Sequence, residues 1–153
     1  MRREESIILF CENLKKLLRN KEWLEKSYHK SLRIDLDNLR EEDYEVLETL
    51  CNRFGRTVDM LINKILRGLD LIELEDVSRK LDIVIRAEKR GFVDDYRVLV
   101  ALKDLRNELV HEYIEENLVK KYKEEIMRVP QLLDIVNKVI KYIEEKNYCK
   151  GTI

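Results

Sequence analysis

One proline and four glycines in 153 residues give this chain almost no means of interrupting a helix. Apolar residues recur at three- and four-residue intervals over most of its length, the period of an amphipathic helix. A first helix is predicted from about Glu4 to Leu32, carrying Ile7, Ile8, Cys11, Leu14, Leu17, Leu18, Trp23, Leu24 and Tyr28. Glu4 and Glu5 suit its first turn, where the helix dipole favours negative charge. Asp35, Asp37 and Asn38 then break the pattern. A second helix, from about Glu41 to Leu69, carries Tyr44, Leu47, Leu50, Cys51, Phe54, Val58, Leu61, Ile62, Ile65 and Leu66. Gly55 inside it costs about 1 kcal/mol relative to alanine, which suggests close contact with another helix there. A third helix is expected over about Leu74 to Arg90, with Val77, Leu81, Ile83, Val84 and Ala87 on its inner face. Lys89-Arg90-Gly91 closes it with cations and a glycine able to take a left-handed cap. Asp94 or Asp95 caps a fourth helix bearing Val98, Leu102, Leu105 and Leu109. The fifth runs from about Glu115 to Lys146, and Pro130 should kink or divide it. Neither strand-like alternation nor an internal repeat competes. The expectation is an all-α fold: one domain, residues 1–153, built as an up-and-down bundle of about five helices.

Charge and apolar content exclude several function classes. With 30 basic against 31 acidic side chains, the chain is no general nucleic-acid coat protein, although a local basic site is compatible with that balance. No apolar run approaches the roughly 20 residues that span a bilayer, and Met1-Arg2-Arg3-Glu4-Glu5 is too charged to open an export signal. A cytoplasmic location without a membrane partner is the expectation. Cys11, Cys51 and Cys149 lack metal or redox spacing and read as free thiols in helical packing. Abundant Lys, Glu, Ile and Leu with few Gln would suit a thermophile.

The fourth helix holds the residues that call for a function. Leu105-Arg106-Asn107-Glu108-Leu109-Val110-His111-Glu112-Tyr113 inserts a guanidinium, an amide, an imidazole and a phenol into an otherwise apolar pattern. His111 is one of only two histidines, so its placement here carries weight. A fixed cation and a ring titrating near neutrality are what a phosphodiester-handling site needs. At about 100° per residue, Asp104, Asn107 and His111 share a polar stripe opposite Leu102, Leu105 and Leu109. Arg106 lies about 140° round from His111, so one straight helix does not aim the two along one line. A two-fold dimer would bring a second copy of the motif alongside and converge two arginines with two histidines.

Arg106-Asn107-x-x-x-His111-x-Tyr113 resembles the R-x4-H-x-Y signature of the HEPN superfamily, in particular the HepT-like toxins paired with minimal nucleotidyltransferases. Arg53-Phe54-Gly55-Arg56 and Arg86-Ala87-Glu88-Lys89-Arg90-Gly91 also look like that family, and the resemblance extends from about Tyr44 to Tyr113. It implies a homodimeric endoribonuclease that needs neither metal nor other cofactor, restrained by a nucleotidyltransferase antitoxin. Arg106 would hold the scissile phosphate and stabilise developing charge. His111 would move a proton as base or acid, and Asn107 would orient His111 or bind the phosphate, with Asp104 and Glu108 in support. Attack by a 2′-hydroxyl requires RNA and leaves a cyclic phosphate. In the resembling family the tyrosine at the position of Tyr113 accepts AMP from the antitoxin, which adds charge and bulk that would repel RNA.

Other readings remain open at this point. The same cleft could bind a nucleotide or other ligand without cleaving it, as a partner subunit of a nucleotidyltransferase. Arg106 and His111 could instead tie helices together through Asp104 or Glu108. Glu108 and His111 have the E-x-x-H spacing of di-iron bundles, but His29 lacks a glutamate three residues before it and reads as a helix-surface residue. Lys120-Lys121-Tyr122-Lys123 is either a solvated helix face or an RNA-steering patch.

Overall fold

A computed structural model describes residues 2–150. In chain order the elements are α1 (Arg3–Ser31), α2 (Glu41–Asp59), a π-helical segment (Met60–Leu66), α3 (Arg67–Ile72), α4 (Lys80–Lys89), α5 (Arg97–His111) and α6 (Glu115–Lys146). No strand occurs among the described residues. The backbone stays helical at Met60 and Arg67, so α2, the π-helical segment and α3 form one continuous rod. Five rods therefore make the all-α bundle that the apolar period predicts.

The core forms where α1 lies along α2. Leu14, Leu17 and Leu24 of α1 are fully buried with Leu47, Leu50 and Phe54 of α2. α6 closes the bundle with Val129, Leu132, Val136, Val139 and Ile143. The π-helical segment buries two adjacent pairs, Leu61 with Ile62 and Ile65 with Leu66. The same spacing of buried pairs recurs in α6, at Ile135 with Val136 and Val139 with Ile140. Gly68 admits the Phe10 ring, since a Cβ there would stand 2.9 Å from Phe10 Cδ2. Some apolar residues of the first pattern face outward, among them Ile8 and Trp23, the latter beneath the Arg19 guanidinium.

Three expectations change. The third helix begins at Lys80 rather than Leu74, because the preceding stretch turns sharply instead of coiling. Leu74 takes a left-handed backbone at φ 61°, and Asp76 accepts the Ser78 N–H at 2.9 Å in a side-chain-closed turn. Val77 therefore precedes the helix, and Leu81 is exposed rather than inward. The other end matches expectation: Gly91, at φ 85°, forms the left-handed cap, with Phe92 N–H donating to Ala87 carbonyl at 3.0 Å. Second, Pro130 does not divide α6, which runs as one helix from Glu115 to Lys146 with Val129 and Leu132 buried on either side of it. Third, only Cys51 is a free thiol. Cys11 and Cys149 form a disulfide across 138 residues of sequence, joining α1 to the segment after α6. Sequence spacing alone does not determine cysteine pairing, because partners are set by where the helices bring them.

Beside that disulfide lies a dense polar knot. Asp70 of α3, fully buried, accepts from Arg86 at 3.0 Å and Arg90 at 2.5 Å, both on α4. Glu73 accepts from Arg90 at 2.8 Å, from the Tyr142 hydroxyl at 2.8 Å and from the Tyr148 hydroxyl at 2.7 Å. Burial alone would raise the Glu73 pKa. The hydrogen bonds from both tyrosines and Arg90, with the charge of Arg90, outweigh it and hold the carboxyl below its ordinary value.

Candidate functional site

α2, α5 and the start of α6 enclose a cleft of about 550 Å³. Arg106 lines it, together with Glu48, Cys51, Gly55, Arg56 and Asp59 of α2. Gly55 is what allows this: a Cβ there would stand 3.2 Å from Arg106 Cγ, so the arginine stem lies directly on the α2 backbone. The close helix contact expected at Gly55 is thus made by Arg106. One turn on, the Asp59 carboxylate pairs with Arg106 Nη2 at 3.1 Å, and both side chains are about one-third exposed. Arg106 Nη1 also reaches Asn107 Oδ1 at 3.3 Å. Arg106 Nε is buried against Gly55 without a hydrogen-bond partner, a costly state for a charged donor.

His111 is the last residue of α5 and is exposed. It does not line the cleft that holds Arg106, so within one chain the two are not brought together. Asn107 contacts Arg106 rather than His111, and Asp104 and Glu108 are exposed. Asp59 is the partner that sequence reading missed. Its signal was available, since it follows Gly55 by four residues and so shares a helix face with it.

Past His111 the chain leaves the helix, with Glu112 and Ile114 extended. Glu112 fixes this link by accepting the Ile114 N–H at 3.0 Å and Lys121 Nζ at 3.1 Å, and those two hydrogen bonds hold its carboxyl below the usual range. Tyr113, between them, is 90% exposed, and Val110 and Ile114 beside it are also exposed. The phenol is therefore open to a modifying enzyme, and the apolar neighbours form a patch of the kind that protein contacts cover.

Behind the cleft, the Cys51 thiol donates to Glu125 Oε2 at 3.2 Å. Glu125 is fully buried and its Oε1 has no partner. Burial pushes the Glu125 carboxyl up to about 8, opposed by the Cys51 hydrogen bond. Burial, followed by the nearby Glu125 charge, pushes the Cys51 thiol far upward, which makes it a poor nucleophile. Tyr122 is buried, so it cannot serve as a stacking platform within Lys120-Lys121-Tyr122-Lys123. Lys121 and Lys123 pair with Glu112 and Asp37, which leaves that run a charge-paired helix face. His29 is exposed near the end of α1, as expected of a helix-surface residue. No group of three or more His, Cys, Asp or Glu side chains among the described residues has metal-holding geometry. No described helix is long and apolar enough to cross a membrane. Compared with protein-family models, curated proteins and solved structures, the chain matches none.

Proposed function

We propose that this chain is a HEPN-type endoribonuclease toxin, acting as a homodimer without a metal and restrained by a nucleotidyltransferase that adenylylates Tyr113. The observation that carries the reading is Arg106: a guanidinium seated on Gly55 at an open cleft, its terminal nitrogens held only by the partly solvated Asp59 carboxylate and the exposed Asn107 amide. Such a cation can exchange its contacts for a phosphate at little cost in stability. The exposed position of His111 fits a proton-transfer group that completes the site across a two-fold axis, with Val110, Tyr113 and Ile114 as adjoining apolar contact surface. In the proposed reaction the 2′-oxygen attacks phosphorus, the bond to the 5′-oxygen breaks, and the products are a 2′,3′-cyclic phosphate and a 5′-hydroxyl. We place the protein in the cytoplasm. The Cys11–Cys149 bond fits that compartment in hyperthermophiles, whose intracellular proteins are disulfide-rich.

The test is cleavage of single-stranded RNA in EDTA by purified protein, with DNA as control. Arg106→Ala and His111→Ala should each lower the rate by about 10²-fold or more. Cleavage that survives both substitutions refutes the reading. That His111 does not itself line the cleft favours one alternative, a non-catalytic partner subunit that binds nucleotide through Arg106. Arg106-dependent binding without cleavage would establish it.

A further inference from the structure

A second groove, of about 330 Å³, runs between α1 and the rod formed by the π-helical segment and α3. Lys16, Lys64 and Arg67 line it, with Asn13, Asn63 and Ser6 as neutral hydrogen-bonding groups and no acidic residue in its walls. None of the three cations takes part in an ion pair among the described residues. In a chain with 30 basic and 31 acidic side chains, a groove with three unpaired cations and no carboxylate is a local departure from the whole. It is therefore an anion-selective surface on a nearly neutral protein.

Its place in the fold links it to the first cleft. Arg56 and Asp59 line that cleft, and Met60, Asn63, Lys64 and Arg67 of the same rod line the groove. Asn52 and Arg56 at the cleft and Asn63 and Arg67 at the groove are all exposed and stand on this one continuous rod. The residues from Arg56 to Arg67 span several helical turns, more than a single phosphate needs. The floor includes Leu9 and Leu71, both partly solvent-exposed apolar groups. Cations at intervals, amides and an apolar floor suit a strand with regularly spaced phosphates and bases between them.

We infer that the Lys16–Lys64–Arg67 groove is an extended single-stranded RNA-binding track that continues the Arg106 cleft along the α2–α3 rod. This rests on the RNA reading of the Arg106 site, but it concerns binding rather than cleavage. It is tested with a fluorescent 2′-O-methyl oligouridylate, which lacks the attacking hydroxyl and stays intact whatever the protein can cut. Anisotropy titrations over a range of salt compare the full-length protein with Lys64→Ala/Arg67→Ala and with a control pair, Lys15→Ala/Lys26→Ala. Lys15 and Lys26 lie on α1 outside the groove. The groove pair should weaken binding about tenfold and reduce the slope of log Kd against log salt by about 1.4, at roughly 0.7 for each phosphate no longer neutralised. The control pair should do neither. Unchanged affinity and slope in the groove pair, or equal losses in both pairs, overturn the inference. Loss of poly-glutamate binding alone in the groove pair also overturns it and assigns the groove to an acidic protein. Failure of the nuclease reading appears separately, as absence of cleavage of unmodified RNA by a protein whose groove still binds.

Discussion

Two arginine-centred regions of this molecule differ in how completely their charges are satisfied. In the knot, Arg86 and Arg90 are mostly buried, and buried Asp70 takes a hydrogen bond from each. None of the knot's buried side-chain nitrogens or oxygens lacks a partner among the described residues. In the cleft, Arg106 has one partly exposed carboxylate and a buried nitrogen without a partner. A saturated network holds three helices in register and has no capacity for a ligand. An arginine left short of partners at an open surface can accept one. The same residue type thus serves architecture in one place and is free for recognition in the other.

That contrast breaks most visibly at Asp70. Asp70→Ala should destabilise the fold by about 3 kcal/mol, read from urea unfolding, because Arg86 and Arg90 lose the buried carboxylate they share and keep only Glu75 and Glu73. Arg106→Ala should cost about 1 kcal/mol or less in the same assay, since a partly solvated pair contributes little. Comparable losses at both sites would erase the distinction between them.

A pH series sharpens the comparison next, because the two regions contain carboxyls displaced in opposite directions. Glu73 sits below its ordinary value, so its contribution is present above the unfolded carboxyl range and is lost as pH falls through its lower folded value. Glu125 sits at about 8, so its contribution is complete below the unfolded value and is lost as pH rises towards 8. Stability should therefore decline across pH 5–8, and Glu125→Gln should flatten that limb while leaving the acid limb intact. An unchanged slope in Glu125→Gln would remove Glu125 as its source.

The smallest expected change in stability comes from Gly55→Ala. Replacing a helical glycine favours the fold by about 1 kcal/mol, but the new Cβ presses on Arg106 Cγ and offsets part of that gain. Net stability should move by less than about 1 kcal/mol, while RNA cleavage falls as the guanidinium is displaced. Full activity in Gly55→Ala would show that the seat beneath Arg106 is incidental.

Legibility in the sequence followed the kind of signal each feature leaves. Long apolar repeats placed both ends of α1 and α6 within a residue or so and the start of α5 near its Asp95, and the cations before Gly91 marked the end of α4. The start of α4 was missed because Leu74 adopts a left-handed backbone that its side chain does not advertise, although Asp76-x-Ser78 is a readable turn. The π-helical segment was not legible, because a change of hydrogen-bond step alters no composition. At the site, Arg106, His111 and Tyr113 stood out as polar intrusions in an apolar helix. Asp59 did not, because its step of four from Gly55 gains meaning only once folding brings Arg106, 47 positions away, within 3.1 Å. The knot escaped for the same reason: Asp70 and Arg90 look like ordinary surface charges until three helices meet.

The bond between Cys11 and Cys149 closes the polypeptide from α1 to the segment after α6 into a covalent ring. Proteolytic nicking between α1 and α2, around residues 32–40, would then yield two fragments that run as one species until a reductant is added.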